Sequence, residues 1–329
     1  MKSQFTILFR VDGDETLGLG HMSRCRSLMA AFGETADCSF AVATRNAEHA
    51  AKALGAGDFE VIEPHNLKGN YDIAVTDVPN LAAIEQSRIR NLSHIMICID
   101  DEGPGSSTAD ILIRPNLLYL PRPAGFQASH YWSGKQYIIL HPDFMKMTAR
   151  KTDMAAPLQR LLVCFGGSDP MGLTLRIVPV LQQLDLCIDT VLVVGAAFRR
   201  KKELLDEVAG DPQMRVIYNA PNMAALFRSS DMALISGGTL LYEACCLGIP
   251  SMVISQNTGQ HREAVILHQK GAAINLGLGS TVSDAAIVSA LQKLIESDDV
   301  RTALSRQGPK TVLPDGAYWI ARRILLGIA

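Results

Sequence analysis

A chain of 329 residues that is 48% hydrophobic and 19% charged has the material for two cores of ordinary domain size. Its 31 Lys and Arg against 33 Asp and Glu give a formal charge of −2, and with no basic block standing out this excludes the electrostatic footprint that nucleic-acid binding requires. No apolar run nears the roughly 20 residues of a bilayer span, and the N-terminus enters a strand without a basic leader or signal-type core, which predicts a cytoplasmic protein with no stable membrane insertion.

In chain order, β-rich apolar runs at Phe5–Val11, Cys38–Ala43, Asp72–Thr76 and Ile95–Ile99 each precede a turn and, usually, a helical stretch. This alternation is the signature of a parallel sheet wound with helices. The first turn reads Gly18-Leu19-Gly20-His21-Met22-Ser23-Arg24 and opens a helix whose apolar face runs through Met22, Cys25, Leu28, Met29 and Phe32. Between Leu112 and Pro157 the pattern loosens around Pro115, Pro121, Pro123, Pro142 and Pro157, which places a domain boundary near residue 155. The rhythm restarts with strands at Leu161–Phe165, Thr190–Val194, Arg215–Tyr218, Met232–Ile235 and Ser251–Ile254. After Pro314-Asp315-Gly316, a final helix is predicted over Ala317–Leu326.

Ligands in parallel α/β sheets bind beyond the carboxyl ends of the strands, so a glycine-flanked imidazole at such a turn stands where chemistry is done. His21 is the candidate base, against the alternative of a cap or core histidine. Downstream, Gly237-Gly238-Thr239 follows a strand and opens a helix, an arrangement that offers backbone amides and the positive helix end to an anion such as a diphosphate. Glu243 lies one helical turn beyond, either as a ligand for ribose hydroxyls or as a solvated helix residue. Gly166-Gly167-Ser168 repeats the strand-to-glycine turn, which serves either close approach of a phosphate or sugar, or a tight βα turn with Ser168 or Asp169 as helix cap.

Metal chemistry has little support. Asp12-Gly13-Asp14 spells a DxD pattern, yet oxygen ligation of Mg²⁺ needs more than two carboxylates. The seven cysteines are scattered through apolar segments with no CxxC pair, and His261 with His268 lacks the HExxH spacing. We expect no metal and no cofactor. A dinucleotide site is similarly disfavoured: Gly18-x-Gly20 is similar to a Rossmann turn, but Ser23 replaces the third glycine and the second strand ends at Thr44-Arg45 without an acidic ribose partner.

Taken in order, Arg10 and Asp12 ahead of Gly18-x-Gly20-His21-x-x-Arg24, then Ile99-Asp100-Asp101, Tyr137 to Phe144, Gly166-Gly167-Ser168-Asp169, and Ser236-Gly237-Gly238-Thr239 through Glu243-Ala244 to Leu247-Gly248-Ile249-Pro250, resemble the UDP-sugar hydrolases of pseudaminic acid biosynthesis. The resemblance covers most of the chain and implies the GT-B architecture shared with nucleotide-sugar glycosyltransferases. Two Rossmann-like parallel-sheet domains would face a central cleft, residues 1–155 carrying the catalytic histidine and 156–329 binding UDP, with the last helix packing back on the first domain.

The implied reaction is hydrolysis of a UDP-linked amino-deoxy sugar with inversion at the anomeric carbon, His21 taking a proton from water as UDP leaves, with Asp12 positioning His21 or binding sugar hydroxyls. UDP is already a stable anion, so no strong general acid is needed, unlike ordinary glycoside hydrolysis with its two carboxylates. The resemblance also implies substrate contacts from Gly20, Arg24, Gly166, Gly167, Ser168, Gly237, Gly238, Thr239 and Glu243, and from Asn257 and Gln260 in place of an adjacent Asn-Gln pair. The chain departs from the family at Asp77-Val78-Pro79-Asn80, where a tyrosine is common and Asn80 is the substitute, and at His141, where arginine is common. A GT-B glycosyltransferase using the same UDP-sugar cradle is the alternative, and a non-catalytic nucleotide-sugar binding protein a more distant one. Nothing in the sequence specifies an oligomeric state.

Overall fold

The computed structural model describes residues 4–13, 20–54, 59–101, 103–123, 126, 129–147, 158–184 and 188–328. These divide into two compact units, one running to Pro142 and resuming at Pro314, the other spanning Asp143–Leu313. The predicted boundary near residue 155 lies outside the described residues.

The first unit holds a seven-stranded sheet. Its strands are β1 (Gln4–Val11), β2 (Asp37–Ala43), β3 (Phe59–Ile62), β4 (Tyr71–Asp77), β5 (Ser93–Ile99), β6 (Ile111–Arg114) and β7 (His130–Ser133), in the spatial order β3-β2-β1-β4-β5-β6-β7. Every pairing is parallel. The order reverses between β1 and β4, and the register there sets Val11 beside Asp77. Such a reversal opens a crevice at the strand ends, which is where ligands enter folds of this kind.

Helix α1 (Gly20–Thr35) covers this sheet through Met22, Cys25, Leu28 and Phe32, all buried, with Phe9 and Phe32 meeting edge to face at 6.3 Å between ring centres. Ser27 and Ala31 complete the buried face, and the predicted Met29 is only half-buried. The Ser27 hydroxyl is accommodated because it donates to the Ser23 carbonyl at 2.9 Å. Helices α2 (Ala47–Leu54), α3 (Ala83–Asn91) and α4 (Pro142–Lys146) follow in the chain.

The second unit repeats the plan with a six-stranded parallel sheet. It contains β8 (Arg160–Cys164), β9 (Asp189–Val194), β10 (Met214–Tyr218), β11 (Met232–Ile235), β12 (Ser251–Ser255) and β13 (Ile274–Leu278), ordered β10-β9-β8-β11-β12-β13. Its reversal lies between β8 and β11, where Cys164 pairs with Ile235, so the glycine turns that follow these strands leave the sheet side by side. Helices α5 (Leu173–Gln183), α6 (Lys201–Val208), α7 (Met223–Arg228), α8 (Thr239–Cys246), α9 (Thr258–Gln269), α10 (Asp284–Glu296) and α11 (Asp298–Thr311) fill the connections. Against the expectation that no basic block stands out, four consecutive basic residues, Arg199–Lys202, lead into α6, where Arg200 pairs with Glu203 at 2.5 Å.

The chain ends in α12 (Gly316–Ile328), which belongs to the first unit. Gly316 lies so close to Ile138 that a Cβ there would sit 2.1 Å from the Ile138 carbonyl oxygen. Arg323 covers the Trp132 ring at 4.6 Å and donates to the Tyr137 hydroxyl at 3.0 Å, holding the helix to the edge of the first sheet. No helix among the described residues is long and apolar enough to cross a membrane.

Candidate functional site

His21 occupies the first turn of α1, one helical turn from Arg24, so both side chains share a face beside the buried stripe. That face meets the end of β4. The His21 Nδ1 lies 2.7 Å from Asp77 Oδ1. Arg24 grips the same carboxylate with a fork, Nε donating to Oδ2 at 2.7 Å and Nη2 to Oδ1 at 2.5 Å. Arg24 Nη2 also stands 3.2 Å from His21 Nδ1, and Nη1 reaches Asp100 Oδ2 at 3.5 Å. Asp100, at the end of β5, pairs in turn with Arg114 at 3.5 Å, which carries the row of alternating charge to β6.

Burial drives the Asp77 carboxyl up, but the Arg24 and His21 charges outweigh it and hold the group down at about 2. An ionised carboxylate only accepts, so its bond to Nδ1 is best made when Nδ1 carries the proton. Nε2 is then the imidazole's basic atom, and it meets no partner among the described residues. His21 remains 24% exposed at its side chain, enough for a small reactant to reach it.

Asp12, expected to position His21 or to bind sugar hydroxyls, pairs with Arg10 and Arg45 and not with His21. Its carboxylate is 2.7 Å from Arg10 Nη1 and accepts from Arg10 Nη2 at 2.8 Å and from the Arg45 N–H at 2.9 Å. Arg10 is wholly buried and turns its Nε to Glu85. Burial raises the Asp12 carboxyl and these donors more than offset it, leaving a net shift downward. The residue that positions His21 is therefore Asp77, brought beside the end of β1 by the β1–β4 register.

Gly20 is exposed, and among the described residues nothing stands within 4 Å of where its Cβ would be, so none of them demands a glycine there. Gly18 and Asp14 lie outside the described residues. Asn80 adopts a left-handed backbone at φ 54°, with its N–H donating to the buried Asp101 carboxylate at 3.0 Å and its side chain exposed. Gly103 N–H donates to the same oxygen at 2.8 Å, so Asp101 staples the loops after β4 and β5.

In the second unit, Gly166 has φ 90° and Gly167 packs its backbone against Gly195, where an added Cβ would lie 2.4 Å from the Gly167 Cα. Ser168 is buried. The N-cap of α5 is Gly172, in a left-handed conformation at φ 65°, and Asp169 three residues earlier satisfies the first turn, its carboxylate accepting from the N–H groups of Leu173 at 2.9 Å and Thr174 at 2.7 Å. Gln256, which the sequence did not single out, bonds through its side chain to the Phe165 carbonyl and ties the loop after β12 to this turn.

Gly238 precedes α8 with φ 79° and ψ −144°, a conformation that a side chain would strain. Gly237 lies against Gln260, 2.7 Å from its Cβ if a methyl were added. The N–H groups of Gly237, Gly238 and Thr239 donate to no described residue, as the first turn of a helix leaves them. Glu243 projects from the second turn of α8 among buried Leu241, Tyr242, Ala244, Cys245 and Cys246. Its carboxyl meets no partner among the described residues, and burial pushes it up to about 8. The reading of Glu243 as a solvated helix residue is therefore removed.

Asn257 acts as the N-cap of α9, its Oδ1 accepting from the Gln260 N–H at 2.9 Å. Gln260 accepts through Oε1 from the Gln256 N–H at 2.9 Å and lies along the Gly237–Gly238 turn. Among the described residues, no cluster of three or more His, Cys, Asp or Glu could hold a metal ion.

No family model matches the chain. Over 179 residues it is 31% identical to the spore coat polysaccharide biosynthesis protein SpsG of Bacillus subtilis strain 168, covering 54% of this chain and 52% of that protein. The chain spans about half the length of the curated relatives it matches. Among solved structures, MurG of Acinetobacter baumannii superposes with a TM-score of 0.63 at 13% identity, covering 98% of this chain and 99% of that one. The S. aureus MnaA–UDP co-structure superposes with a TM-score of 0.65 at 13% identity, covering 100% of this chain and 98% of that one. At this identity the likeness shows the fold, and the two parallel-sheet α/β domains are of the GT-B type.

Proposed function

We propose that the chain hydrolyses a UDP-linked amino-deoxy sugar at its anomeric C–O bond with inversion, releasing UDP and the free sugar for a nonulosonic (pseudaminic-type) acid or a surface polysaccharide. The observation that carries the reading is the His21–Asp77 pair, which leaves Nε2 as a base at the switch point of the first sheet. Asp77 accepts from Nδ1–H while Nε2 takes a proton from water. The water oxygen bonds to the anomeric carbon as the bond from that carbon to the phosphate oxygen breaks. UDP leaves as an anion.

Leaving-group charge falls to the second unit. The unengaged amides at Gly237–Thr239 and the N-terminus of α8 suit a diphosphate, and Glu243 suits two ribose hydroxyls. Gly166, Gly167, Ser168 and Gln260 line these turns in the same reading, Gly20 stands next to His21 at the start of α1, and Asn257 contributes from the start of the helix it caps. A relative named for spore coat polysaccharide biosynthesis and a structural neighbour solved with UDP support the substrate class. We assign the protein to the cytoplasm, where such nucleotide sugars are made.

Glycosyl transfer is the second reading, favoured by Asp77-Val78-Pro79-Asn80, where the polar tip is an exposed Asn80 with no tyrosine. His21 would serve an acceptor hydroxyl as readily as water. Replacing His21 with Gln tests the base directly: turnover of the UDP-sugar should fall by at least about a hundredfold, the usual contribution of a general base, with UDP affinity retained. Turnover that survives the change removes His21 from the reaction.

A further inference from the structure

The proposed reaction leaves one charged side chain beside the base without a task. Arg24 holds both oxygens of Asp77, at 2.5 and 2.7 Å, and its Nη2 stands 3.2 Å from the His21 Nδ1. Its side chain is only 15% exposed, so solvent screens it poorly. Among the described residues, the charged groups facing the imidazole are Asp77 from the end of β4 and Arg24 from α1, with Asp100 from β5 beyond Arg24 and itself paired to Arg114 of β6.

A carboxylate alone beside an imidazole strengthens its hold on a second proton, which would occupy Nε2 and disable the base. A guanidinium at the same carboxylate opposes this, because the imidazolium would form against a fixed positive charge. The fork also prevents the carboxylate from rotating away from Nδ1. We infer that Arg24 is a positioning residue that offsets the charge of Asp77 and locks its carboxylate against Nδ1, and so keeps Nε2 of His21 open to accept a proton. Resting on the reading of His21 as the base, this moves Arg24 from the substrate contacts expected of it to control of the base.

The test is an NMR titration of the His21 side chain in the whole protein without substrate, the signal assigned by its loss in His21→Gln. Arg24→Met should raise the titration midpoint by roughly one to two pH units, as expected for removing a like charge within hydrogen-bonding distance. Arg24→Gln, which keeps a donor for Asp77 without the charge, should raise it in the same direction and stands in should the methionine variant not fold. Arg24→Lys should bring the midpoint back toward that of the native protein. An unchanged or lowered midpoint in the neutral variants overturns the inference. In turnover, the acid limb of kcat/KM should move up with the midpoint, whereas a purely structural loss would lower the whole profile. The titration needs no substrate, so it holds or fails separately from the release of sugar.

Discussion

Replacing Glu243 with glutamine separates the cost of burying this group from the work of its carboxylate. Burial lifts the carboxyl from the ordinary 4.5 to about 8, so the folded chain keeps a proton that the unfolded chain releases above pH 4.5. The native state is therefore penalised progressively as pH rises from 4.5, and the penalty levels off above 8. At pH 7 the interval is two and a half pH units, and at about 1.4 kcal/mol per unit the cost is roughly 3 kcal/mol. Glu243→Gln, nearly isosteric and uncharged, should be more stable than the native protein by about that amount at pH 7 and by little at pH 5. At pH 7 the buried carboxyl is neutral, and glutamine keeps one acceptor oxygen but replaces the other with an amide that cannot accept. A lost neutral hydrogen bond costs about 0.5–1.5 kcal/mol, so UDP affinity should fall by roughly two- to tenfold. The assay is denaturant unfolding of both proteins by circular dichroism from pH 5 to pH 8, with UDP binding by calorimetry at each pH. Stabilities that stay parallel across the range would refute the account of the buried carboxyl, and unchanged UDP affinity would remove Glu243 from the nucleotide site.

Gly238→Ala should cost about 1–3 kcal/mol of stability, since φ 79° with ψ −144° is open to glycine alone, and should weaken UDP binding by displacing the amides before α8. Retained affinity would move the diphosphate elsewhere. A chelator should leave turnover unchanged, because Asp12 is engaged by Arg10 and Arg45. Activity lost to the chelator and restored by Mg²⁺ would reopen the reading of Asp12 and Asp14 as ligands.

Much of the fold was legible because each long strand is a short apolar run closed by a turn, and the period alone marks it. The strands that escaped are brief or atypical: β3 is four residues with an exposed glutamate, β6 and β7 fall in the proline-rich stretch, and β13 carries a glycine at φ 102°. His21 was legible from its flanking glycine and its place after β1. Its partner was not. Asp77 reaches His21 through the pairing of β4 with β1, a contact between residues 56 positions apart that no local pattern marks.

The burial of Glu243 had a local signal. The residues around it in α8 are apolar on every side, and a helix of that kind is a core helix whatever single acid it carries. For Asn257 the competing role won, since an asparagine just before a helix has its side-chain oxygen claimed by the first turn. The spacing of Asn257 and Gln260 is that of a cap and its third residue, which accounts for the separation of the pair.

The most direct measurement is proton NMR of the anomeric signals when the protein meets UDP-2,4-diacetamido-2,4,6-trideoxy-β-L-altropyranose without acceptor or added metal. Hydrolysis predicts free reducing sugar, first as the inverted anomer and matched by UDP. A substrate left intact while UDP still binds contradicts hydrolysis of this sugar and moves the assignment to transfer or to another UDP-sugar.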